Sequence, residues 1–149
     1  YEEAIADYSR AIELAPQGAE IYTNRGRAYD ELGRLEEAIA DYSRAIELDG
    51  EHGTAYQNRS ITLARKGEYD RALADIDRAL ELDAKDAWRR YVKASIYGLL
   101  GESALACRWL GMAIASDVEC WEVAREDSNF DAVKDALCMR TLLEGKAAG

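Results

Sequence analysis

A single histidine, His52, and three cysteines, Cys107, Cys120 and Cys138, are the side chains of this sequence best able to do nucleophilic, acid–base or metal chemistry. Catalysis would ask more of the pattern around them: a nucleophile elbow, a glycine-rich phosphate loop after a strand, or ligands at metal spacing. None of these occurs, and scattered Ser and Asp residues on a repeating surface do not make a site. The cysteines are odd in number and lack CxxC spacing, so they read as buried structural thiols and not as a metal or redox site. The chain is therefore expected to be no enzyme and to need no metal and no cofactor. Reduced thiols also point to the cytoplasm as the location.

Charge narrows the partners. The net charge is −10 and the sequence pI about 4.6, so a nucleic-acid backbone or an anionic membrane surface is repelled by the chain as a whole. No apolar run approaches the roughly 18 residues of a membrane span, so no membrane insertion is expected. The acidity is uneven. Residues 1–50 carry 12 Asp and Glu against 5 Lys and Arg, and a cationic partner would feel that end most.

Recognition is the chemistry left, and the side chains suited to it recur at a fixed interval. Arg25, Arg59 and Lys93 stand 34 residues apart, as do Asn24 and Asn58. Whole phrases recur with them: EEAIADYSRAIEL fills residues 2–14 and, letter for letter, 36–48, while YDRALADIDRALEL at 69–82 keeps its apolar and charged pattern. Apolar residues three and four apart, as in Ala4, Tyr8 and Ala11 or Ile5 and Ile12, put each phrase on a helix with one buried face. On the other face Asp7 and Arg10, Asp41 and Arg44, Asp75 and Arg78 are three apart and are expected to pair for about 0.3 kcal/mol each.

A second amphipathic segment runs before each full copy: AEIYTNRGRAYDELG, GTAYQNRSITLARKG and AWRRYVKASIYGLLG. Gly33, Gly67 and Gly101 close these segments, where a left-handed residue can end a helix and start a tight turn. The unit is helix, turn, helix.

These columns resemble the tetratricopeptide repeat. Small residues recur at Gly26, Ser60 and Ala94, followed by Tyr29, Leu63 and Tyr97; in the second helix Ala4, Ala38, Ala72 and Ala106 are matched by Ala11, Ala45, Ala79 and Ala113. The resemblance implies an all-α fold, a right-handed α-α superhelix (solenoid) of helix-turn-helix units with a C-terminal capping helix. Its register gives a partial unit, second helix only, at 1–18, full units at 19–52 and 53–86, a degenerate unit at 87–120, and a turn and capping helix at 121–149. In the last part Val133, Leu137, Leu142 and Leu143 fall at roughly helical spacing, and Asp127 to Phe130 resembles the turn that precedes such a cap.

Family members typically hold an extended peptide or a partner's helix on the concave wall lined by their first helices. The residues here that would line it are Thr23, Asn24, Arg27 and Asp30; Gln57, Asn58, Ile61 and Arg65; Trp88 and Tyr91. Beside these stand Glu20, Glu31, Thr54, Val92, Ser95 and Leu99. Asn24 and Asn58 fall where members use an asparagine to grip a ligand's main chain, and an amide offers both donor and acceptor for that task; asparagine also stands there in repeats without a ligand. Trp88 and Tyr91 admit two readings, anchors for a ligand or contacts with the tail. Arg25, Arg59 and Lys93 are expected beside the helix crossing, with Asp41 and Asp75 as partners.

One branch of the family clamps the carboxylate-ending tails of heat-shock chaperones with paired cations. In this sequence those positions hold Thr23, Trp88 and Val92, or Thr54 and Asn58, so the expected function is a non-catalytic protein-interaction scaffold binding a peptide or helix of unknown identity, not a typical chaperone-tail binder. The alternative is self-association. Residues 1–14 form a second helix without its first, so either more protein precedes it or its face, with Ile5, Tyr8 and Ile12, docks on another copy to give a homo-oligomer.

Overall fold

The computed structural model describes residues 1–144, and within them the secondary structure is helical throughout. Nine α-helices follow in order: α1 Glu2–Leu14, α2 Ala19–Glu31, α3 Leu35–Leu48, α4 Gly53–Arg65, α5 Tyr69–Leu82, α6 Ala87–Leu99, α7 Ser103–Ser116, α8 Glu119–Ala124 and α9 Leu137–Glu144. A single 3-10 turn, Ser128–Phe130, separates α8 from α9. The chain divides into two compact units, Tyr1–Leu82 and the residues from Asp83 onward.

In the first unit consecutive helices pack against each other, and α2 also meets α4. The connections of three or four residues force antiparallel neighbours, and the turn chemistry repeats with the sequence. Gly33 takes φ 72° and Gly67 φ 80°. At the first, Gly33 N donates to Asp30 O and Arg34 N to Tyr29 O, both at 2.9 Å; at the second, Gly67 N donates to Ala64 O and Glu68 N to Leu63 O, again at 2.9 Å. A side chain with Cβ would strain that left-handed backbone, so glycine is the residue that lets each hairpin close. From α3 on the alanine columns are sealed inside: Ala38, Ala45, Ala72 and Ala79, with Ala55, have no exposure, Tyr42, Leu63 and Ile76 fill the space between them, and Ala4 and Ala11 on α1 are half-buried.

The expected surface pairs along single helices form only in part. Arg10 stands 3.9 Å from Asp7, but Arg44 pairs with Glu47 and Arg78 with Glu81. Asp41 and Asp75 are turned inward to Arg25 and Arg59, where a two-pronged contact in a drier setting outcompetes a solvated neighbour three residues away.

In the second unit α6 and α7 repeat the hairpin, with Gly101 at φ 74°. Tyr91, Ala94, Leu110, Cys120, Phe130, Val133 and Met139 belong to its buried core. Asp127 caps the 3-10 turn by accepting from Asn129 N at 2.9 Å, and Trp121 Nε1 donates to Leu142 O at 3.0 Å, tying α9 to α8. Val133 is buried and Leu142 and Leu143 half-buried, but Leu137 is 74% exposed. It opens the short α9, one residue ahead of the face carrying Cys138 and Met139. The thiols also depart from expectation: Cys120 is buried, whereas Cys107 and Cys138 are only half-buried.

Candidate functional site

Two arginines set the roll of the helices that carry the asparagines. Arg25 on α2 donates from Nε to Asp41 Oδ2 and from Nη2 to Asp41 Oδ1, both at 2.7 Å, and from Nη1 to Ser9 Oγ at 3.0 Å. Arg59 on α4 repeats the pattern with Asp75 at 2.7 and 2.8 Å and with Ser43 at 2.9 Å. Each serine in turn donates to the carbonyl four residues before it, Ser9 to Ile5 and Ser43 to Ile39, at 2.7 Å. One guanidinium thus holds three helices, and its carboxylate partner raises its already high pKa further. With that side of α2 and α4 fixed, the preceding residues, Asn24 and Asn58, lie about 100° round the helix on a neighbouring face.

That face carries two depressions of about 200 Å³ each, built on the same plan one period apart. The first is lined by Tyr8, Asn24 and Arg27 among others, the second by Tyr42, Asn58 and Ile61, and Arg27 and Glu31 border both. Tyr8 therefore stands with the asparagine column. Tyr42, which the sequence analysis did not single out, borders the second depression although it is almost wholly buried, and its place 34 residues after Tyr8 is the signal the sequence carries. Burial, with the charge of Asp30 adding to it, pushes the Tyr42 phenol well above the usual tyrosine range, so it is neutral.

Polar groups on this face differ in what they have left to give. Asp30 accepts from Thr62 Oγ1 at 2.8 Å and from Arg65 Nη1 at 2.5 Å, which ties α2 to α4 and occupies Arg65. Arg27 is exposed and makes no ion pair among the described residues. Asn58 Nδ2 is buried and has no hydrogen-bond partner among the described residues. Leaving such a donor unmet costs on the order of 1–3 kcal/mol.

The remaining candidates lie elsewhere. Thr23 is buried; its hydroxyl donates to Ala19 O at 3.1 Å and stands 2.9 Å from His52 Nε2. Gln57 is half-buried. On α1, Ile5 is buried while Tyr8 and Ile12 are half-buried. In the second unit Trp88 is 36% exposed and meets Tyr91 edge-on, with ring centroids 5.5 Å apart. Tyr91 itself is buried: its hydroxyl donates to Asp127 Oδ2 at 2.5 Å and its ring packs on Phe130, so it contacts the turn that follows α8 and offers no surface. Val92 and Ser95 are buried too, and Leu99 is exposed. Arg90, which stands where Tyr22 and Tyr56 stand in the earlier units, donates to Ala84 O and Ser116 Oγ and latches the loop before α6 to the end of α7. No group of His, Cys, Asp and Glu among the described residues is placed to hold a metal.

Models of the tetratricopeptide repeat match residues 19–52 and 53–86, and a TPR repeat model matches residues 1–33. No curated protein sequence matches the chain. Among solved structures, a tetratricopeptide repeat protein from Parabacteroides merdae superposes with a TM-score of 0.81 at 23% identity, over 97% of this chain and 57% of that one. YrrB, described as a TPR protein with an unusual peptide-binding site, gives 0.68 at 22% identity over 94% and 84%. The TPR2B domain of yeast Sti1 in its pHsp70 complex gives 0.69 at 27% identity over 78% and 95%. Helix pairs closed by left-handed glycines, alanine columns sealed at the crossings and three repeat matches running from residue 1 to residue 86 lead to one assignment: the chain belongs to the tetratricopeptide repeat family.

Proposed function

We propose that the face formed by α2 and α4 holds an extended peptide segment of a partner protein, as a non-catalytic interaction module. The observation that carries the reading is Asn58 Nδ2, a buried donor without a partner among the described residues, at a depression open to solvent on its other side. Rotation of the Asn58 amide into the depression would let a main-chain carbonyl of a bound strand satisfy it, and Asn24, exposed one period earlier, offers an amide directly. Arg27, exposed and bordering both depressions, is placed to take a ligand's acidic side chain, and Ile61 gives the neighbouring contact an apolar floor.

Peptide complexes of structural neighbours, such as TPR2B of Sti1 and the first TPR of Spaghetti with an HSP90 peptide, support peptide binding as the class of function. They do not extend to a chaperone tail here. A paired-cation clamp needs two free cations, and Arg65 is already committed to Asp30. Self-association through α1 draws less support, because Ile5 is buried and Tyr8 already borders a depression with Asn24.

The test is selection from a displayed library of random peptides, followed by calorimetry with the selected sequences. Binding by the wild type that falls at least tenfold in Asn58→Ala and in Arg27→Ala, with no loss of stability in either, is the expected result. Selected peptides that bind both variants as well as the wild type would remove the α2–α4 face from consideration.

A further inference from the structure

In the second unit, Cys107 on α7 and Cys138 on α9 come together although 30 residues of chain separate them. The two helices pack against each other, the Cys138 thiol donates to Ser103 O at 3.7 Å, and Cys138 lies near enough to Cys107 to help raise its pKa. Both sulfurs border one open depression of about 600 Å³, whose other walls include Ala104, Gly111, Met112 and Leu142. Both are free thiols and half-buried, so a small reagent can reach them, whereas Cys120 is sealed in the core.

We propose that Cys107 and Cys138 are an oxidative modification site, a dithiol that closes to an intramolecular disulfide by exchange with a small disulfide such as oxidised glutathione. The deprotonated Cys138 sulfur attacks one sulfur of the reagent and expels one glutathione thiolate, giving a mixed disulfide. Cys107 then loses its proton to solvent, attacks the Cys138 sulfur and expels the second thiolate. The protein loses two protons and two electrons, and the reagent becomes two molecules of reduced glutathione.

The order follows from the surroundings of Cys107. Burial and the neighbouring Cys138 push its thiol up to about 12, so it keeps its proton while the first exchange proceeds on Cys138. Closure would staple α9 to α7 and hold the C-terminal helix on the last helical hairpin, independently of any ligand on the α2–α4 face.

The experiment uses the whole chain in graded mixtures of oxidised and reduced glutathione, quenched in acid, alkylated and mapped by mass. Expected is the loss of two alkylatable thiols of three, a linked pair of peptides carrying Cys107 and Cys138, and an alkylated Cys120. Amide exchange in α9 should slow at least tenfold on closure and recover with dithiothreitol. Three thiols at every ratio, glutathione adducts without a cross-link, or links through Cys120 would each overturn the proposal, as would closure that leaves α9 exchange unchanged. Cys107→Ser and Cys138→Ser should each abolish the link; if either variant fails to fold, the mapping of the wild type decides alone.

Discussion

Arg59 grips Asp75 with both prongs of its guanidinium, Nε to Oδ2 at 2.7 Å and Nη2 to Oδ1 at 2.8 Å, with side-chain exposures of 18% and 10%. Breaking such a pair on one side strands a charge in a dry setting. Asp75→Leu is therefore expected to cost about 3 kcal/mol in urea unfolding, and Arg59→Met combined with Asp75→Leu is expected to recover most of it. Equal losses in the single and double variants would mean that the packing of the stems, and not the charge, holds the helices.

Two glycines test how closely the helices approach. A Cβ on Gly26 would sit 2.7 Å from Tyr42 Cε1, a ring with little room to move, and on Gly98 it would sit 2.5 Å from the backbone oxygen of Asn129. Gly26→Ala is expected to cost about 2 kcal/mol by overpacking. Gly98→Ala should cost more, since a backbone carbonyl cannot swing aside and the turn over Tyr91 must lift. Thermal melts of the two variants, with amide exchange at Phe130, separate the cases.

Alkaline pH should destabilise the protein. The Tyr42 and Tyr91 phenols are held above their usual range, mainly by burial, and the thiols of Cys107 and Cys120 are pushed from 9.0 up to about 12 and about 11. At pH values between the unfolded and folded pKa the folded chain keeps protons that the unfolded chain has lost. Stability is therefore fully present below about pH 9 and drains as pH rises past it. The urea midpoint at pH 10.5 is expected below that at pH 7.5, with a smaller drop in Cys107→Ser; a flat profile contradicts this.

Arg27 should matter to binding and not to folding. It is exposed and unpaired among the described residues, so Arg27→Glu is expected to change unfolding by less than about 0.5 kcal/mol. Calorimetry with an acidic peptide selected by the wild type should nevertheless show at least a tenfold weaker affinity. Raising salt from 50 to 300 mM, on the order of one Debye length falling by half, should weaken the wild type and leave the variant nearly unaffected.

Much of the fold was legible in one dimension because each helix meets the same neighbours one period on. Thus the alanine columns, the turn glycines at 33, 67 and 101 and the small residue at Gly26 announce the hairpins in the sequence itself. A residue's choice among several feasible partners was not legible. Asp41 could serve Arg44 on its own helix or Arg25 across the hairpin, and only the folded distances, with partial desolvation favouring the two-pronged contact, decided it. The candidate face shows the same division. Spacing set Asn24 and Asn58 in one column, while the tertiary structure alone buried Asn58 Nδ2 without a partner, tied Arg65 to Asp30 and left Arg27 exposed. Tyr91 was drawn inward by Asp127 and Phe130, and Cys107 and Cys138 were brought to the border of one depression. Periodicity determines which residues share a row, because helical geometry is local; which of them remain available is decided by packing between segments distant in sequence, where burial and competing partners set the outcome.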